Sequence, residues 1–208
     1  LNQPLAAIRA YADNARALID HGRQSDALGN LTQISDLTER MAQISAQLKI
    51  FARRDSSQAV SVSLDAAIDN GLRILKPGIN EDDIEIRLNP GGREILVLAN
   101  SVQLDQVLVN LIDNALHAVE GGDKGMIDIT AGVNDGEAIL HIRDNGAGIK
   151  EDALPRIFDP FFTTKEEGRG LGLGLSISYR MVEGMGGRLE AANHPDGGAV
   201  FTLHLPLA

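Results

Sequence analysis

Asn110 and Asn114 stand four residues apart in N-L-I-D-N-A, inside a stretch whose apolar residues Leu104, Val107, Leu108, Leu111, Ile112, Ala115 and Val119 keep helical spacing. That separation puts both amides on one edge of a buried face, and His117 continues the edge. A hard cation bridging phosphate oxygens needs oxygen ligands at fixed positions. A helix-borne amide supplies one without adding negative charge beside a polyphosphate. Downstream come D-N-G-A-G-I from Asp144, F-D-P-F-F-T-T-K from Phe158 and G-R-G-L-G-L-G-L from Gly168. The ordered set describes a pocket for Mg2+ and ATP built without a Walker loop.

Asp144 ends a predicted strand with apolar inward residues. A carboxylate fixed there can accept a hydrogen bond from the adenine amino group, while Gly146 and Gly148 let the backbone approach the ring. Taken alone, D-N-G-x-G also suits a plain turn; the asparagine helix upstream decides for the nucleotide. Gly168, Gly170, Gly172 and Gly174 recur at every second position and pass into Leu175, Ile177, Met181 and Val182 at helical spacing. Successive backbone N–H groups followed by a helix N-terminus make an anion site. The spacing is not that of a dinucleotide fold, and the interleaved Leu171 and Leu173 argue against a linker. Between these motifs, Lys150 to Arg169 has little regularity, and Phe158, Phe161 and Phe162 crowd beside Thr163, Thr164 and Lys165. It reads as a loop that docks its aromatics when ordered.

Two kinds of element must position these groups. Leu1, Leu5, Ile8, Ala12, Ala15 and Ile19 step by four and three, as do Ile34, Leu37, Met41, Ile44, Leu48 and Phe51. The two predicted helices, separated by a polar stretch after which Ser25 or Asp26 can cap, form an antiparallel hairpin. One hairpin cannot cover both apolar stripes, so two are expected to pair as a four-helix bundle. From Val60 the texture changes to short strands at 60–63, 84–88, 95–99, 126–133, 138–143, 188–192 and 199–205. Helices are predicted at 64–75, 101–120, 151–157 and 173–185, and Asn134-Asp135-Gly136 is a tight hairpin turn. The fold class is α+β: a helical hairpin over 1–54, a linker at 55–59, and over 60–208 an α/β sandwich whose mixed, largely antiparallel sheet carries helices on one face.

The 208 residues, 43% of them hydrophobic, suffice for two small domains. No window is apolar enough to span a bilayer, and the piece is expected to be soluble. The absence of cysteine excludes disulfides, zinc-thiolate sites and thiol catalysis. A net charge of -10 argues against a nucleic-acid partner, which would need a basic face. His21, His141, His194 and His204 have no metal-ligand spacing and read as structural or surface residues.

The ordered motifs resemble the N, G1, F and G2 boxes of sensor histidine kinases, within the Bergerat-type ATPase superfamily shared with gyrase, Hsp90 and MutL. L-N-Q-P-L-A-A-I at the start resembles the tail of the family's phosphoacceptor box, which begins with His-Glu, so the acceptor histidine is expected immediately before Leu1. The opening looks closest to the C4-dicarboxylate and oxygen-sensor type.

The resemblance implies γ-phosphoryl transfer from Mg-ATP to a histidine on the first helix, then to an aspartate of a response regulator receiver domain. It implies a homodimer through the hairpin and a cytoplasmic portion of a parent anchored in the bacterial inner membrane. Carried over residue by residue, Asn110 and Asn114 would hold the metal and Asp144 would select adenine. His117, Gly146, Gly148, Ile149, Phe158, Thr163, Thr164, Gly168, Arg169, Gly170, Leu171, Gly172, Leu173 and Gly174 would line the ATP site. Lys165 and Arg169, in the family's ATP lid, would reach the phosphates, with Lys165 joining Asn110 and Asn114 as catalytic. Gln3 would orient water for dephosphorylation of the regulator. There are two departures. Ala199 stands where relatives carry a threonine whose hydroxyl helps hold a water on the adenine aspartate, and His117 stands where a longer basic residue is common. The weighed alternatives are a regulatory scaffold that binds ATP without transfer and an ATP-hydrolysing clamp. Asn110, where clamps carry a glutamate base, disfavours the clamp.

Overall fold

The computed structural model describes residues 2–52, 59–79, 83–89, 94–121, 124–164 and 172–208, without the side chains of 2–4, 39–40 and 42–52. The linker expected at 55–59 lies outside the described residues except for Ala59. The chain divides into two compact units, Leu1–Asp55 and Ser56–Ala208.

The first unit is a pair of packed helices, α1 (Asn2–Asp20) and α2 (Gln24–Ala52). Pro4 falls in the first turn of α1, where its missing N–H breaks no bond. At the other end of α1, Gly22 takes φ +74°, its N–H donating to Ile19 and that of Arg23 to Leu18. This Schellman closure turns the chain within three residues. It also corrects the capping expectation: α2 begins at Gln24, so Ser25 and Asp26 already lie inside its first turn, where Asp26 pairs with Arg23 at 2.6 Å. Among the described side chains of the hairpin, Ala15 and Ala27 are the buried ones, small enough to let the helices approach. Leu5, Ile19, Leu28 and Leu31 are each about half exposed or more.

The second unit contains β1 (Val60–Ser63), α3 (Leu64–Leu75), β2 (Ile84–Asn89), β3 (Leu96–Ala99), α4 (Ser101–Val119), β4 (Gly125–Asn134), β5 (Glu137–Asp144), α5 (Gly174–Gly184), β6 (Arg188–Asn193) and β7 (Ala199–Pro206). Its main sheet has the order β2-β4-β5-β7-β6, with only the β2–β4 pair parallel. β1 and β3 form a separate antiparallel pair, a division that strand patterning did not reveal. Along β5, Ala138, Leu140 and Ile142 point inward and are buried, and Asp144 is the next inward position. β7 alternates in the same way through Ala199, Phe201, Leu203 and Leu205. These rows join the apolar face of α4, which buries Leu104, Val107, Leu108, Leu111, Ile112, Ala115, Leu116 and Val119.

Side chains set the entry of each helix. Ser63 accepts from the Ala66 N–H to start α3, and Asn100 accepts from the Gln103 N–H to start α4. Asn70 of α3 donates to Asp105 of α4 at 2.6 Å and ties the two helices. The β4–β5 turn has Asp135 at φ 51° and Gly136 at φ 82°, the primed turn expected from Asn-Asp-Gly. The helix expected at 151–157 is instead a series of turns with one 3-10 turn at Leu154–Arg156. Pro155 has no N–H to donate one turn back, so an α-helix cannot run through it.

Candidate nucleotide site

One edge of α4 carries Asn110, Asn114 and Ala118 at successive turns, spanning about 12 Å at the rise of an α-helix. Its two ends meet different parts of the chain. At the first, Asn110 Nδ2 donates to Ser178 Oγ at 2.9 Å, and Asn110 Oδ1 lies against Gly174, the first residue of α5. At the second, Gly146 rests on the Ala118 carbonyl so closely that a Cβ would collide with it. Asn114 lies between them and is half-buried.

Asp144 is 2% exposed. Its Oδ1 accepts the Gly146 N–H at 2.9 Å and the Ala199 N–H at 3.2 Å. Position 199 thus sits beside the carboxylate, and its backbone, not a side-chain hydroxyl, makes the bond. The next residue, Asn145, turns away: its Oδ1 accepts the Met126 N–H at 2.8 Å and its Nδ2 donates to the Lys124 carbonyl at 3.0 Å. That side chain prolongs the β4–β5 pairing past the last strand residue. Gly148 has φ +73° and is followed by Ile149, whose N–H and carbonyl both bond to the Asn193 side chain.

Gly174 opens α5 behind Leu173, and among the described residues no side chain caps the helix start, whose first N–H groups have no acceptor within the helix. Ser176 is buried and donates to the Leu173 carbonyl at 2.9 Å. Gly172, at φ +65°, accepts from the Phe161 N–H at 2.9 Å and brings the chain back against the Phe161–Phe162 backbone. Phe158 packs on Tyr179 of α5, with ring centroids 5.1 Å apart, and Arg156 lies 4.6 Å over the Phe162 ring. Two of the three loop phenylalanines therefore dock on the core, while Phe161, at φ 68°, is 68% exposed and does not. Glu183, one turn along α5, pushes the Tyr179 phenol above its ordinary value, first by its charge and then by a hydrogen bond. Thr163 and Thr164 are exposed.

His117 is exposed, its Nδ1 2.8 Å from the Asp113 carbonyl one turn back, so it leans along its own helix. The α4 residue that meets the D-N-G turn is Ala118. Lys165, Gly168, Arg169, Gly170 and Leu171 lie outside the described residues, as does the side chain of Gln3. Sequence reasoning missed Asn193, Ser178 and Ala118. A groove of about 350 Å³ lined by Leu72, Arg73, Lys76, Ile79, Ile84, Ile86 and Leu88 opens elsewhere, between α3 and β2. Among the described residues no cluster of histidine and acidic side chains could hold a metal ion by itself, and no helix is long and apolar enough to cross a membrane.

Residues 99–208 match the family described as histidine kinase-, DNA gyrase B-, and HSP90-like ATPase. The chain is 46% identical, over 99% of its length, to the C4-dicarboxylate transport sensor protein DctB of Pseudomonas aeruginosa, of which it covers 34%. It spans about one third of the length of the curated relatives it matches. Among solved structures, the nucleotide-free catalytic domain of the histidine kinase ThkA aligns with 30% identity and a TM-score of 0.64, covering 72% of this chain and 95% of that one. ThkA in complex with the response regulator TrrA aligns over 100% of this chain and 60% of that one, with a TM-score of 0.72 and 23% identity, a likeness of fold.

Proposed function

Because the chain belongs to the histidine kinase-, DNA gyrase B- and HSP90-like ATPase family and shares the sensor histidine kinase branch of it, we propose that it is the catalytic core that binds Mg-ATP and delivers the γ-phosphoryl to a histidine on the first helix of a dimeric hairpin. The observation that carries this reading is the single edge of α4. It runs from α5 at Asn110 to the D-N-G turn at Ala118, a span that suits a nucleotide laid along it. The adenine amino group donates to the Asp144 carboxylate at one end. The phosphates lie at the other, before the uncapped start of α5.

The residues present fit a cation that arrives with the triphosphate. Amide oxygens suit a hard ion, and among the described residues no cluster of acidic side chains gathers to bind one alone. Asn110 and Asn114 would hold it, and Mg2+ would supply charge neutralisation on the phosphate oxygens. The Asn110–Ser178 bond fixes that amide, with its oxygen close against the backbone of Gly174. By the family resemblance Lys165 and Arg169, outside the described residues, would contact the phosphates.

In the transfer itself a neutral imidazole nitrogen attacks the γ-phosphorus in line, the N–P bond forms, and the bond to the bridging oxygen breaks, leaving ADP. The phosphoryl then passes to an aspartate of a response regulator, the kind of partner named for ThkA, and Gln3 would orient the water that hydrolyses the regulator's aspartyl phosphate to aspartate and phosphate. The unit 1–54 serves as the dimerisation and phosphotransfer hairpin of a parent whose cytoplasmic part this is, and 60–208 as its ATP-binding domain.

Titration calorimetry with ATP on the wild type and on Asp144→Asn tests the pocket. In the variant an amide N–H faces the adenine amino group, so affinity should fall by about tenfold or more. Equal affinity would place adenine elsewhere. Acid-labile label from γ-labelled ATP on a first-helix histidine of the parent protein tests transfer. ATP binding without any such label would leave a scaffold.

A further inference from the structure

Asn193, the last residue of β6, makes two hydrogen bonds to a single residue 44 positions away. Its Oδ1 accepts the Ile149 N–H at 2.7 Å, and its Nδ2 donates to the Ile149 carbonyl at 2.6 Å. A carboxamide has one acceptor and one donor in a plane, so the side chain pairs with Ile149 as a neighbouring strand's peptide would. Asn193 also stands opposite Ala199 in the β6–β7 register, and the Ala199 N–H is a donor to Asp144. One end of this hairpin therefore grips D-N-G-A-G-I at both extremities: the carboxylate through Ala199 and Ile149 through Asn193. Between the two grips, Gly148 turns at φ +73°, and a Cβ there would stand 2.9 Å from Asn193 Oδ1.

We propose that Asn193 is a positioning residue of the nucleotide site, which presets the backbone of 146–149 against Asp144 before the base arrives. The inference rests on the ATP reading above. A segment of two glycines and an alanine between fixed ends loses much conformational freedom when a ligand orders it. Holding it in place beforehand leaves that loss out of binding. Because the strap acts on the base end of the site, its removal weakens every adenine ligand by the same factor, whatever phosphates follow. A strap that only held the hairpin to the sheet would lower the melting temperature of the ligand-free protein and leave affinity alone.

The test compares ATP and adenosine binding to the wild type, Asn193→Ala and Asn193→Asp, with melting of each ligand-free protein. Alanine removes both bonds, and aspartate keeps the acceptor but cannot donate to the Ile149 carbonyl, so each should weaken both ligands by roughly tenfold while their ratio stays unchanged. Wild-type affinity in folded variants, or a loss confined to ATP, overturns the proposal. Should neither variant fold, hydrogen exchange at the Ile149 amide of the ligand-free wild type decides. Protection supports the strap, and exchange at the rate of an open loop overturns it. If the wild type binds neither ligand, the ATP reading is what fails, and the Ile149 exchange still reports whether the loop is preset.

Discussion

Asn110 and Gly174 meet so closely that a Cβ on Gly174 would overlap the Asn110 Oδ1. The backbone at 174 is not left-handed, so the glycine serves this approach and not a turn. Gly174→Ala should displace the Asn110 amide and lower ATP affinity by about tenfold or more, at a stability cost of about 1–3 kcal/mol. Gly184→Ala, at the far end of α5 with nothing within 4 Å of its new Cβ, is the control: it should leave affinity unchanged and raise stability slightly, by up to about 1 kcal/mol. Calorimetry and urea unfolding read both effects. Normal affinity in Gly174→Ala would separate this contact from the nucleotide site.

Gly198 combines φ +81° with a Cβ position that collides with the Asp144 carbonyl. Gly136 has nearly the same backbone angle but open space around it. An alanine at 136 should cost only the left-handed conformation, about 1–2 kcal/mol. At 198 it should cost about 4 kcal/mol or more, because the β6–β7 hairpin must move off Asp144. Urea denaturation of both variants gives the difference directly, and equal losses would mean that the hairpin end yields freely.

The strands were legible to within one or two residues because alternation and turn residues are local signals. Asp135-Gly136 could hardly be anything but a hairpin turn. What periodicity does not carry is pairing. Nothing in Val60–Ser63 says that it joins β3 in a separate sheet, since that choice is made by contacts far along the chain. Glu151 to Ile157 misled because its apolar spacing looks helical while Pro155 forbids the helix. Asn110, Asp144 and the glycines drew notice as candidates by type and spacing, and the structure adds that Gly146 packs too closely on Ala118 for any side chain. Asn193 drew none. A lone asparagine before a His-Pro-Asp-Gly-Gly turn reads as a turn residue until the fold brings Ile149 beside it.

Ser178 is 2% exposed and accepts the Asn110 Nδ2 at 2.9 Å. Ser178→Ala leaves that N–H facing a methyl group, which should lower stability by about 1–2 kcal/mol. The amide can then rotate, so a larger fractional loss is expected for ATP than for adenosine, the opposite pattern to the Asn193 variants. Parallel titrations with the two ligands check this. An equal loss for both would place Asn110 away from the phosphates.

The hairpin makes a prediction independent of the nucleotide. Leu28 and Leu31 are 63% and 49% exposed on α2, with Ile19 at 51% on α1, while Ala15 and Ala27 are buried. Lysines at 28 and 31 should therefore leave each hairpin folded but remove from a dimer the burial of two leucines per copy, each about 1.5–3 kcal/mol. For the dimer proposed above, the dissociation constant measured by sedimentation should rise by about tenfold or more, with ATP affinity unchanged. Ala15→Leu should do something different: a larger side chain wedged between α1 and α2 destabilises the hairpin itself by about 1–3 kcal/mol, seen as lost helicity at any protein concentration. If the lysine variant keeps the wild-type dissociation constant, the exposed leucines are not the dimer seam.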